Sequence, residues 1–317
     1  MLLTGLVTLL TMMVLSPGRE QSKADRYPQV ERPAQKDRIL IVAPHIDDEA
    51  IGAGGYAADA LAGGAEVYVV FLTAGDCNRI SARLLHKTLE PTPSNFLSVG
   101  RTRIAEAGQA MAALGVPKDH FFVLGYPDRG LQTILRNPNA IVRSIGTREN
   151  AVPYAQALSP GAPYTLERLK ADVARVVTIT QPTIVIAPVP FDRHPDHSAA
   201  AAITDIVLAD LNLRPQRLGY LVHSAWMMKS WVPRPNGALL PPARMQAFSW
   251  ATYPLSPRAQ KTKDRVLRTY KSQRPYVFLL RNQFVRTNEL FFIHQEATAA
   301  ETTYVPVSNR PDWEPAR

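Results

Sequence analysis

The sequence holds a single cysteine, Cys77, among 317 residues. That excludes an internal disulfide, and it excludes iron–sulfur clusters and thiolate zinc sites, which need several cysteines. Any metal must therefore rest on His, Asp and Glu. No apolar run reaches the ~20 residues that span a bilayer comfortably. Repeats and low-complexity tracts are also missing. Hydrophobic residues make up 46% and charged ones 20%, which rules against a disordered or fibrous chain. The length fits one large domain or two modest ones, with a substantial core. Acids are the scarcer charge, 27 against 36 bases, for a net +9. Such a surplus admits an anionic partner without naming one; no nucleic-acid partner is expected.

Residues 1–18 carry no charged side chain, and 2–15 are mostly apolar. That run has the length of a signal-peptide core. No Lys or Arg precedes it, however, and Ser16-Pro17-Gly18 is not an A-x-A cleavage site. Residues 19–37 are polar and charge-dense, with Pro28 and Pro33. The expectation is an export signal or membrane anchor at 1–18, a linker at 19–37, and a periplasmic, extracellular or anchored protein. The alternative is a buried N-terminal helix.

After Arg38, short apolar runs alternate with helical patterns. Continuous apolar stretches at 39–43, 67–72, 121–124 and 183–187 read as strands buried on both faces, with a fifth at 218–223. Helical sequence is expected at 49–62, 98–114, 165–180 and 197–211. Residues 126–163 hold no clear element and read as a long excursion near a functional edge. Alternation of this kind predicts an α/β fold, a doubly wound, mostly parallel sheet with helices on both faces. Ligands in such sheets bind beyond the carboxyl ends of the strands.

Two clusters stand at such ends. Pro44-His45-Ile46-Asp47-Asp48-Glu49 follows the first strand, and Asp192-Arg193-His194-Pro195-Asp196-His197 follows the fourth. A catalytic zinc site takes three N/O ligands and leaves a position open for water. His45, Asp48 and His197 supply that set. Asp47 is placed to take a proton from a water acidified by the ion. His194 is placed opposite, to stabilise an oxyanion or protonate a leaving amine. Asp192 and Asp196 are candidates for orienting the two histidines. Together these groups describe metal-assisted hydrolysis of an amide or related bond. Gly52-Ala53-Gly54-Gly55-Tyr56-Ala57 matches G-x-G-x-x-A, with Asp76 beyond it. A dinucleotide fingerprint begins directly after its strand, whereas here eight residues and an acidic cluster intervene. Close helix–sheet packing is the better reading, and NAD is excluded.

APHIDDEAIGAGG with DRHPDH resembles the PIG-L / LmbE-like family of metal-dependent N-acetylglucosamine deacetylases. Further segments do so too: Gly100-Arg101-Thr102-Arg103 to Glu106, Leu124 to Gly130, and Tyr220 to His223. Lys271-Ser272-Gln273 and residues 284–291 are similar to an extended, often exported, subgroup. The resemblance implies a Rossmann-like fold. It also implies a zinc ion on His45, Asp48 and His197, with Asp47 as base and His194 as the oxyanion-stabilising acid. Arg103 and Asp128 correspond to substrate-binding positions in weaker segments. A set of two His and one Asp also suits Fe²⁺ or Co²⁺.

The expected organisation is a catalytic domain at 38–225 with a C-terminal extension at 226–317 packing on it. The expected activity is deacetylation of an N-acetyl amino sugar or its conjugate. The rivals are an amidase or esterase acting on a non-sugar substrate, and a non-catalytic, membrane-associated glycan- or lipid-binding protein. Residues 257–286 hold nine Lys/Arg against one acid, Asp264, which suggests either a solvated face or contact with anionic lipid or glycan. Trp231, Trp250 and Tyr253 are read as core aromatics, with sugar stacking as the alternative. His223 is in reach of the pocket, or is a hydrogen-bonded strand-end histidine.

Overall fold

The computed structural model describes residues 17–224 and 234–294. The expected export segment, up to residue 16, and Trp231 lie outside them. Seven strands form one sheet in the order β3-β2-β1-β4-β5-β7-β6. They are β1 (Arg38–Ala43), β2 (Glu66–Thr73), β3 (Phe121–Tyr126), β4 (Ile184–Pro188), β5 (Gln216–Tyr220), β6 (Trp250–Pro254) and β7 (Asn288–Ile293). The first five run parallel, and β7 and β6 add antiparallel at the far edge. Ile39, Leu40, Ile41 and Val42 of β1 are completely buried. Burial on both faces explains why this strand reads as an unbroken apolar run, and each such side chain contributes about 1.5–3 kcal/mol.

Nine helices accompany the sheet among the described residues. They are α1 (Pro17–Ala24), α2 (Asp48–Ala62), α3 (Arg79–His86), α4 (Pro93–Leu114), α5 (Leu131–Arg136), α6 (Leu166–Thr180), α7 (Pro195–Asp210), α8 (Pro257–Leu267) and α9 (Arg274–Phe284). α2, α4 and α8 pack together on one face; α5, α6 and α7 pack together as well. The helix ends follow the local chemistry. Thr92 and Asn95 make a capping box before Pro93, and Gly115 closes α4 at φ 95°. Thr165 caps α6 through the Arg168 N–H. No described helix is long and apolar enough to cross a membrane.

Three expectations change here. The excursion at 126–163 contains α5. The fifth strand ends at Tyr220, so His223 follows it in a loop. Residues 19–37, expected as a linker, begin inside α1, and the stretch docks on the domain: Ala24 and Val30 are buried, and Gln29 bridges to Thr252 of β6. Polar composition hid these few apolar anchors.

The glycines of α2 serve close packing. A Cβ on Gly52 would overlap the Tyr220 ring, and one on Gly55 would stand 2.6 Å from Leu255. Tyr220 cannot swing away freely, because its hydroxyl donates to the Val42 carbonyl at 2.9 Å. Gly52→Ala is therefore expected to cost about 1–3 kcal/mol by overpacking, read as a lower denaturant midpoint with an unchanged slope.

Candidate active site

The strand order reverses between β1 and β4, and the two His/Asp clusters leave the carboxyl ends of these neighbouring strands. A doubly wound sheet opens its binding crevice at such a switch point. The fold thus brings together residues about 150 apart in sequence.

Asp48 lies at the centre. Its Oδ2 is 3.1 Å from His45 Nδ1 and 3.1 Å from His197 Nε2. All three side chains are buried. His45 Nε2 faces Asp196 at 3.2 Å and Asp128 at 3.3 Å. Burial opposes charge on each histidine, yet the surrounding carboxylates win. Asp128, Asp196 and Asp48 hold His45 well above its usual range, and Asp48 and Asp192 raise His197 to about 9. The pocket demands positive charge. A divalent cation replaces those protons naturally, because metal ligands must be deprotonated. Both nitrogens of His197 are buried without a properly aligned hydrogen bond, although carboxylate oxygens stand within 3.3 Å. Orphaned buried imidazole of this kind fits a metal ligand. Imidazole nitrogens of His45, His194 and His197 also lie within 4.8 Å of one another, as do ligand atoms of Asp192, His197 and His223.

Asp47 sits at φ 128°, a strained conformation for a residue with a side chain. Its amide donates to Glu49 Oε2 at 3.2 Å. Burial pushes its carboxyl up to about 7, against the downward pull of Arg103. A carboxylate in that range can both accept and return a proton near neutrality. Arg103 is itself 4% exposed. Its guanidinium donates to the carbonyls of Gly75 and Ile46 and lies 3.2 Å from Asp47. These contacts hold Asp47 and the turn before it. Asp128 points inward too, accepting from the Cys77 amide at 2.8 Å and facing His45. Burial would raise it, but His45 and Arg103 hold it down at about 2.

His194 is the N-cap of α7, and its Nδ1 accepts from the Asp196 amide at 3.2 Å. Burial and the nearby His45, His197 and His223 push it down to about 2, which favours the neutral ring. With Nδ1 accepting, the proton sits on Nε2, which becomes a donor. Asp196 also accepts from the amides of Arg129 and Leu131, fixing the loop that carries Asp128. Asp192 accepts from the amides of His194, Val222 and His223 and faces the rings of His197 and His223. It thus ties the loop after β4 to the loop after β5. Asp192→Ala is expected to weaken metal affinity about 10–100-fold, measurable by competition against a buffered chelator.

Glu49 and Tyr270 support the site through a contact that no sequence motif signals. Glu49 is fully buried, accepts from Asp47 and takes the Tyr270 hydroxyl on Oε1. Glu106 similarly accepts from the amide and hydroxyl of Ser272. The KSQ segment carried this signal without revealing its partners. Trp250 and Tyr253 are buried in the core. The basic stretch 257–286 is partly spent inside the fold: Lys263 is buried on Glu289, and Arg268 and Arg281 pair with Asp264.

Residues 40–208, just over half of the chain, match the family model described as PIG-L, GlcNAc-PI de-N-acetylase. A curated relative from Actinosynnema mirum, a 1D-myo-inositol 2-acetamido-2-deoxy-alpha-D-glucopyranoside deacetylase, is 31% identical over 54% of this chain and 55% of its own length. The chain spans about half the length of the curated relatives it matches. Among solved structures, the conserved protein TT1542 from Thermus thermophilus aligns with a TM-score of 0.51 at 20% identity, over 85% of this chain and 100% of that one. The A40926 pseudoaglycone deacetylase Dbv21 aligns at 0.52 and 18%, over 81% and 97%. These structural likenesses show the same α/β fold. With its sheet, its switch-point clusters and this match, the chain belongs to the PIG-L family.

Proposed function

We propose that the chain is a metal-dependent hydrolase, with zinc as the preferred ion, that removes the acetyl group from an N-acetylated amino sugar or its conjugate. The observation that carries this reading is that His45 and His197 both face one oxygen of Asp48 at 3.1 Å, with Asp47 next in the chain and the His194 ring 4.7 Å from that of His45. The curated relative's action on an acetamido-glucopyranoside supports the substrate class.

His45, Asp48 and His197 would hold the ion. When bound, it supplies Lewis acidity for an acyl carbonyl and makes water more acidic. Asp47 takes the proton from the attacking water and later returns it to the departing amine. Arg103 and the Glu49 side chain keep Asp47 in place through the contacts described above. His194 donates its Nε2 proton as a hydrogen bond to the oxyanion that develops on the acyl oxygen. Water and amide become acetate and a free amine. Export or anchoring through residues 1–18 belongs to the same proposal, supported by their uncharged, apolar character; fractionation of cells making the full chain tests it.

The experiment is to assay acetate release from N-acetylglucosamine conjugates with purified protein and to measure its metal content. Chelation is expected to abolish turnover, and added zinc to restore it. Undiminished turnover by metal-free protein would refute the proposal.

A further inference from the structure

Ten large apolar side chains stand exposed among the described residues. Six of them fall in two short segments: Ile80, Leu84, Leu85 and Leu89, then Ile141 and Ile145. Leu89 is 81% exposed and Leu84 60%, which is a poor arrangement for a surface meeting only water. Ile80 and Leu84 are one turn apart on α3, so they share a face, while Ser81 and Ala82 turn inward.

The two segments meet near the candidate site. A Cβ on Gly146 would stand 3.1 Å from Cys77 Sγ, so the 141–148 loop lies against the residue two places before α3. The Cys77 amide donates to Asp128, which faces His45. The apolar surface is therefore on the rim of the His/Asp cluster.

The same segments are basic. Residues 79–90 and 136–150 contain Arg79, Arg83, Lys87, Arg136, Arg143 and Arg148 against only Glu90 and Glu149. Arg79 is closed by Glu90 at 2.7 Å. Arg83 and Arg143 direct Nε to the carbonyls of Leu89 and Arg148, which orients the guanidinium without neutralising it. Exposed leucine and isoleucine between cations suit an interface that is apolar within and anionic at its surface. A second copy of this chain on the same face would bring like charges together.

We propose that residues 79–90 and 136–148 form a docking surface for an anionic lipid bilayer, seating the mouth of the site at the membrane. The inference does not depend on the reaction assigned to the site. It also places the lipid-facing cations here, and not in the C-terminal run at 257–286.

Flotation of the full chain with phosphatidylcholine vesicles, with and without phosphatidylglycerol, tests it. Binding is expected to favour the anionic vesicles. The variants Arg83→Glu/Arg143→Glu and Leu84→Glu/Ile145→Glu are each expected to weaken it on the order of tenfold or more. Residues 1–18 are present in every protein compared, so the difference reports this surface. Melting curves should be unchanged, because the substituted side chains are exposed. As a measurement that needs no variant, anionic vesicles should slow amide exchange at 80–89 and 141–148 in the wild type. Variants that bind like the wild type would overturn the proposal, as would equal binding to both vesicle types or unaltered exchange. So would a dimer that Leu84→Glu dissociates in a protein that ignores vesicles.

Discussion

Asp47→Asn is expected to leave the protein folded and its metal content intact while lowering acetate release by about 10²–10⁴-fold, the range lost with a positioned general base. The amide is nearly isosteric with the carboxyl. Its oxygen can still accept from Arg103, and asparagine tolerates positive φ better than most residues. The backbone at φ 128° and the Asp47 amide bond to Glu49 should therefore survive. The missing function is proton acceptance. Asp48→Asn makes the contrast, because Asp48 Oδ2 is the oxygen both histidines face, and that variant should lose metal and activity together. Metal analysis, a melting curve and an acetate assay on the two proteins separate the roles. Retained turnover in Asp47→Asn would remove Asp47 from the base role. Metal loss in that variant would make it a ligand.

The parallel half of the fold was readable because its strands are buried on both faces and so appear as continuous apolar runs. The two clusters were readable for a related reason: short polar bursts directly after such runs have one place to go in a doubly wound sheet. Partners in three dimensions were not readable. Arg103 stood out in sequence only through the resemblance, and its partners, the Gly75 and Ile46 carbonyls and Asp47, come from three separate segments that no local pattern links to it. Glu49 and Tyr270 are 221 residues apart, and no local pattern couples them. β6 and β7 were missed because their pairing is non-local: β7 attaches to β5 and then carries β6 outward. The basic stretch was misleading in the same way, since composition counts a lysine equally whether it is solvated or buried.

Lys263 is that buried lysine, and Lys263→Met is expected to cost about 3–5 kcal/mol, the usual penalty for breaking one half of a buried pair. Neither Lys263 nor Glu289 is more than 1% exposed. Burial pushes Lys263 down and Glu289 up, each toward neutrality, and each partner's charge opposes that. The ammonium donates to Glu289 Oε2 at 2.7 Å and to the Ile51 carbonyl at 2.8 Å, while Glu289 Oε1 accepts from the Gly55 amide at 2.7 Å. Ile51 and Gly55 are the carbonyl and amide of one regular helical rung. The pair therefore grips α2 by its backbone from α8 and β7, and α2 begins at the proposed ligand Asp48. Loss of the lysine leaves a carboxylate without its cation in the core. The melting temperature should fall on the order of 10 °C. Lys263→Met with Glu289→Leu removes both charges together. The double variant should recover most of the loss, because apolar replacement of a whole buried pair is often neutral. A single substitution costing under ~1 kcal/mol, or a double variant whose loss is the sum of the singles, would show that the pair is not what fastens the C-terminal segment to the catalytic helix.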